Sequence, residues 1–322
     1  MNEFHRRGFF RVATGAILSS ELINPAVTLA AQAGNLYSVT LPIASRLQWD
    51  EWNGYCGECM VQQAALFYGT YVSQWVCRGI INRNQNSQLL VSVNAQRVLK
   101  ALRLTSVEFD FQNQPHPQFK AYFVWIKQHL QAQHPVIITT YVQGLGDSDY
   151  DHIMLATGFS STDSTTHHPT DQLFFNDGYA QTTSVRTASS LFDTRAMQGN
   201  GLRNQYCLPV NTDYGCAVTG IVDTSHAALP VQLHVDRWNE PDLIAGEPPV
   251  VLDGTVSVHG LIPGKSYALY RYNSYRTVPT INYSRSSYAS VTRFVATNAS
   301  ATYSVRIPSD GIAIFRCLPA GL

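Results

Sequence analysis

Three strand-length runs constrain this chain most: residues 135–142 (PVIITTYV), 152–159 (HIMLATGF) and 172–179 (QLFFNDGY). Each is β-branched or aromatic and bounded by polar or Gly-rich loops, the pattern of strands in a buried sheet. Upstream the texture is helical. Residues 57–76 place Met60, Ala64, Phe67 and Tyr71 at three- to four-residue steps and predict one helix. A second helix is expected over 93–102, a short strand over 106–111 and a third helix over 117–131, with proline in its first turn. Helices followed by sheet is the order of an α+β domain. Beyond about residue 225, Pro230, Pro241, Pro248 and Pro249 punctuate a connecting stretch. Short alternating strands follow at 255–258, 267–272, 291–296, 303–307 and 312–317, spaced by turns such as Pro263-Gly264 and Asp310-Gly311. They predict an all-β sandwich, with a boundary near residue 228.

The length of 322 residues suits one large and one small domain. The first 33 residues read as an address. His5-Arg6-Arg7-Gly8-Phe9-Phe10-Arg11 resembles a twin-arginine export motif, a mildly apolar stretch follows, and Ala31-Gln32-Ala33 has the small-x-small form of a cleavage site. The chain is therefore expected to be exported, periplasmic or secreted, starting near Gly34 and with no membrane span after signal removal. Charged residues are only 14%, against about 25% in typical soluble domains. The 22 basic and 22 acidic residues cancel, so nothing recommends a nucleic-acid partner. Of the six cysteines, Cys207 and Cys216 are the best-spaced disulfide candidates.

The segment Asn53-Gly54-Tyr55-Cys56-Gly57-Glu58-Cys59 carries the chemistry. A cysteine between a glycine turn and a helix start meets free backbone N–H groups and the positive end of the macrodipole. Both lower a thiol pKa and can hold an oxyanion. Such a thiol needs an imidazole to take and return its proton, and a polar group to fix that ring. His152 opens a strand directly after a polar loop, and Asn176 and Asp177 end the next apolar run.

Cys-Gly at a helix start, His-(apolar)-Gly on a strand and Asn-Asp after the following strand resemble the papain-like cysteine peptidase superfamily, especially its C39-like members. The likeness covers roughly residues 45–220, and the phrases GYCGE, YDHIM and LYRYNS resemble a group that joins such a domain to a C-terminal fibronectin-type β-sandwich. It implies an α+β papain-like catalytic domain over 34–228 followed by a β-sandwich over 229–322. It implies Cys56 as nucleophile, His152 as base, and Asp177 or Asn176 as orienter. Gln48, eight residues before the cysteine, or Asn53 would be the oxyanion donor. The implied reaction is hydrolysis of a peptide or amide through a thioester, without a cofactor.

Other readings attach to the same residues. Cys56 and Cys59 form a C-x-x-C pair that would suit thiol–disulfide exchange, although the preceding LQWDEWNG is too polar for the strand such sites follow. No second C-x-x-C and no H-x-x-x-H supplies the other ligands of a zinc site, and His167-His168 reads as a polar loop. Asp147-Ser148-Asp149-Tyr150-Asp151 opens like a calcium loop but lacks the following glycine. Tyr270, Tyr272 and Tyr275 would offer a sugar-stacking face if exposed, which fits a non-catalytic adhesion protein with surface or polysaccharide contacts.

Overall fold

The computed structural model describes residues 37–49, 54–81, 93–142, 152–192, 206–208, 210–211, 214–236, 250–280, 283 and 287–321. The elements, in chain order, are β1 (Tyr37–Thr40), α1 (Cys56–Phe67), β2 (Thr70–Val72), α2 (Gln74–Ile81), α3 (Val93–Ala101), β3 (Leu104–Glu108) and α4 (Phe119–Gln131). Then come β4 (Val136–Val142), β5 (His152–Ser161), β6 (Gln172–Asn176), β7 (Ser184–Thr187), α5 (Ala188–Leu191), β8 (Tyr206–Cys207) and β9 (Gly215–Ile221). The last six are β10 (Val231–Val235), β11 (Val251–His259), β12 (Ser266–Tyr272), β13 (Ser290–Val295), β14 (Ser300–Pro308) and β15 (Ile312–Pro319).

These elements overturn the expected papain-like α+β domain. Strand accounts for 41% and helix for 20% of the described residues, and the strands form three antiparallel sheets. The largest runs β3-β9-β4-β5-β6-β7, with β1 added to β5 and β8 to β4. Its strands β1, β7, β8 and β9 come from stretches with little alternation of their own, such as SVRT and GCAVTGI. Such segments become strands because a partner is already in place, a preference that local pattern does not carry. Strand β5 lies among β4, β1 and β6 and is packed by α1 and α4, so it reads as a continuous buried run rather than an alternating one.

The single helix expected over 57–76 is broken. Helix α1 stops at Phe67, and Gly69 turns the chain with φ +66°. A Cβ at Gly69 would lie 2.8 Å from the Val231 side chain, so only glycine fits this approach. Tyr71 consequently sits in a strand, opposite Ala313 of β15, and its hydroxyl donates to the Ser309 carbonyl at 2.6 Å. Strand β2 thereby completes the sheet β13-β12-β15-β2. That sheet faces β10-β11-β14 across a core containing Leu66, Tyr71, Val231, Leu233, Val256, Ile307 and Phe315.

All six cysteines are free thiols. Cys207 pairs with Tyr141 and Cys216 with Ile137, four positions apart along β4. That is about 13 Å of strand, beyond the roughly 7 Å a disulfide spans. Tyr270 and Tyr272 are buried in a satellite core with Tyr283, and the Tyr272 hydroxyl donates to the Tyr283 carbonyl at 2.6 Å. They are packing, not a stacking face. No helix among the described residues is long and apolar enough to cross a membrane. The export segment and the Asp147–Asp151 loop lie outside the described residues.

Candidate active site

Gly54, with φ +62°, and Tyr55 lead into α1, whose first residue is Cys56. Tyr55 makes no side-chain cap, so the first-turn amides stay available, and those of Cys56 and Gly57 face the sulfur. A third amide, that of Ile153 on β5, also reaches it. The thiol is nevertheless pushed up to about 12, because burial outweighs these amides and the Glu58 carboxylate adds to it. The lowering expected from the helix terminus is present but loses to desolvation.

Helix α2 holds the segments on either side of the thiol. Arg78 is buried and donates to Glu58 Oε1 at 2.7 Å and to the Gly54 carbonyl at 2.7 Å, with its guanidinium 3.5 Å from the Tyr55 ring centre. Burial pushes the Glu58 carboxyl up, and Arg78 opposes that shift. From the same helix, Gln74 donates to the Leu47 carbonyl at 2.9 Å and accepts the Trp49 N–H at 2.7 Å. The residue between them is Gln48, whose N–H donates to the Gly178 carbonyl at 2.8 Å. Its side-chain amide is buried and has no hydrogen-bond partner among the described residues. Asn53 lies outside the described residues.

His152, 1% exposed, is the first residue of β5 and stands opposite Thr140. Its Nε2 lies 2.5 Å from the Asp177 carbonyl oxygen. A carbonyl only accepts, so Nε2 carries the hydrogen and Nδ1 keeps the basic lone pair. Nδ1 is buried and has no hydrogen-bond partner among the described residues, the Cys56 sulfur included. Burial drives the imidazole pKa down to about 4, against smaller opposing effects from the Asp177 carbonyl and carboxylate. Thiol and imidazole therefore rest as a neutral pair.

The two candidate orienters have other tasks. Asn176 donates to Gln63 Oε1 at 2.8 Å and to the Ile43 carbonyl, and accepts from Thr183. The Asp177 carboxylate accepts the N–H groups of Tyr179 at 2.9 Å and Ala180 at 3.1 Å, closing the turn around Gly178. It is the backbone carbonyl of Asp177 that fixes the imidazole. Cys59 is tied elsewhere, with its sulfur 3.2 Å from Gln63 Nε2 and 3.4 Å from the Arg46 carbonyl.

Two aromatic residues escaped the sequence reading. Tyr179 stacks on the His152 ring at 4.5 Å between centroids, and Tyr206 does so at 5.5 Å. Burial raises the pKa of the Tyr206 phenol, and the Asp177 carboxylate adds to that shift. Tyr179 follows the Asn-Asp-Gly turn directly, a position that made it findable; Tyr206 carries no local signal. No group of three or more metal-ligating side chains occurs among the described residues. No family model and no curated protein matches the chain.

Proposed function

We propose that Cys56 and His152 form a thiol–imidazole pair that hydrolyses a peptide or amide through a thioester, in a protein that acts after export. The observation that carries this reading is that the amide of Ile153, next in the chain to His152, reaches the helix-start sulfur together with those of Cys56 and Gly57, while the Asp177 carbonyl fixes the His152 tautomer. In the forward step the thiol proton passes to His152 Nδ1 as sulfur bonds the carbonyl carbon, whose π electrons move to oxygen. Collapse of this intermediate breaks the C–N bond, and the leaving amine takes the proton from Nδ1. Water then attacks the thioester, giving a proton to Nδ1 that returns to sulfur. The Cys56, Gly57 and Ile153 amides and the Gln48 amide are the available oxyanion donors. Catalytic hydrogen bonds can be open without substrate and close when it binds, and this reading requires that of Cys56 and His152, which are not hydrogen-bonded to each other here.

Because both groups rest neutral, proton transfer accompanies attack rather than preceding it. Iodoacetamide labelling of the native chain, read by mass spectrometry, is expected to modify Cys56 at a rate that climbs with pH and shows no acidic plateau. His152→Ala should slow it, and Cys56→Ala should abolish hydrolysis of p-nitrophenyl acetate. Unchanged ester hydrolysis in Cys56→Ala would sink the mechanism. Equal labelling of Cys56 and Cys59 would favour disulfide exchange, and no labelling would favour a binding scaffold.

A further inference from the structure

We propose that the Tyr179 side chain is a gate over Cys56 and His152: stacked on the imidazole it keeps the site closed, and turned outward it admits the substrate. What the gate controls rests on the hydrolase reading; that it covers the imidazole does not. The two groups that would react are shut away, Cys56 being 2% and His152 1% exposed. An acyl carbon must come within about 3–3.5 Å of the sulfur to be attacked. At least one covering group therefore has to move before the chemistry can start.

Two rings lie on the imidazole, and they are held differently. Tyr206 stacks at 5.5 Å between centroids, with 21° between the planes. It belongs to β8, opposite Val142 of β4, and also meets the buried Phe175 at 6.1 Å. Its place in the sheet makes it a wall. Tyr179 stacks closer, at 4.5 Å and 18°, yet 49% of it is exposed and it lies in no helix or strand. A side chain with that much surface in water changes rotamer without disturbing the packing of the core.

The backbone beneath Tyr179 is fixed, so the moving part is the side chain alone. The Asp177 carboxylate takes the N–H groups of Tyr179 and Ala180, and Ser45 Oγ donates to the Ala180 carbonyl at 2.7 Å. The Gln48 N–H holds the Gly178 carbonyl at 2.8 Å. Gly178 has φ +78°, and a Cβ there would lie 3.2 Å from Met60 Cε. Rotation about the Tyr179 side-chain bonds thus uncovers the imidazole face while the Asp177 carbonyl stays on Nε2. Opening the gate leaves the tautomer that the reaction needs.

The test is diethyl pyrocarbonate modification of His152 in the full chain at neutral pH, read by peptide mass spectrometry, with iodoacetamide labelling of Cys56 alongside. The reagent takes the Nδ1 lone pair of the neutral ring. Tyr179→Ala should raise both rates roughly three- to tenfold, the factor a stacked aromatic pair is worth, whereas Tyr179→Phe should stay within about twofold of wild type. Cys216, buried in the core, should remain unlabelled throughout. Unchanged rates in Tyr179→Ala overturn the gate, because another group then covers the imidazole. A rise matched at Cys216 overturns it as general loosening, and so does a rise in Tyr179→Phe equal to that in Tyr179→Ala. Hydrolysis of p-nitrophenyl acetate separates the two readings. Faster modification of His152 with no ester hydrolysis in any variant would keep the gate and sink the hydrolase. Cys56-dependent hydrolysis with no change in either labelling rate would do the reverse.

Discussion

At the scale of single residues, His152 shows how burial sets chemistry. The neutral ring is favoured in the fold, with its pKa near 4 against an ordinary 6.5. The unfolded chain then binds more protons between those values, so this residue's contribution is full above about pH 6.5 and lost as pH falls toward 4. The span corresponds to about 3 kcal/mol. Urea unfolding of the wild type should therefore weaken over that window by more than it does in His152→Phe, and parallel curves for the two would refute the assignment. The placing of His152 and Cys56 at element starts was legible in the sequence because both stand beside glycine or polar loops. The orienting group was not. A backbone carbonyl leaves no trace in a pattern of side chains, and the more conspicuous Asn176 and Asp177 side chains serve the surrounding loops.

At the scale of elements, helix α2 organises the site without entering it. It reaches the Gly54 turn through Arg78 and the Gln48 segment through Gln74. The sequence reading merged this helix with α1, because Met60, Ala64, Phe67 and Tyr71 keep a helical step straight across Gly69. Periodicity cannot register a close backbone approach to Val231, and that approach is what breaks the helix. The buried Arg78–Glu58 pair yields a test at this level. Arg78→Met leaves Glu58 buried without its cation and should destabilise the protein by about 3–5 kcal/mol. Arg78→Met combined with Glu58→Gln should recover much of that loss in urea unfolding. Iodoacetamide labelling of Cys56 should still depart from wild type in the double variant, since the Gly54 carbonyl has lost its donor. Full recovery of both readouts would mean that the pair serves packing alone.

For the whole molecule, the C-terminal strands were the most legible part, because short alternating runs between Pro-Gly and Asp-Gly turns define their own ends. The overall balance of strand to helix was not. Part of it comes from segments such as SVRT of β7, whose own pattern is too weak to mark a strand without its partner β6. The two halves also prove less separable than the proline-rich junction suggests. Strand β2 and Leu66 belong to the earlier half by position, yet they complete the sheet and core of the later one. A chain ended at residue 228 should therefore expose Leu66 and Tyr71, bind a hydrophobic dye and unfold at lower urea than the full protein. A truncated chain of unaltered midpoint and low dye binding would show that the halves stand independently. The shared strand also bears on inheritance and transfer. A sandwich that borrows its edge from its neighbour cannot be moved to another protein as a self-contained tag. Any recombination that separates the halves must carry the Gly69 turn and the three residues after it along with the sandwich, or supply a substitute edge.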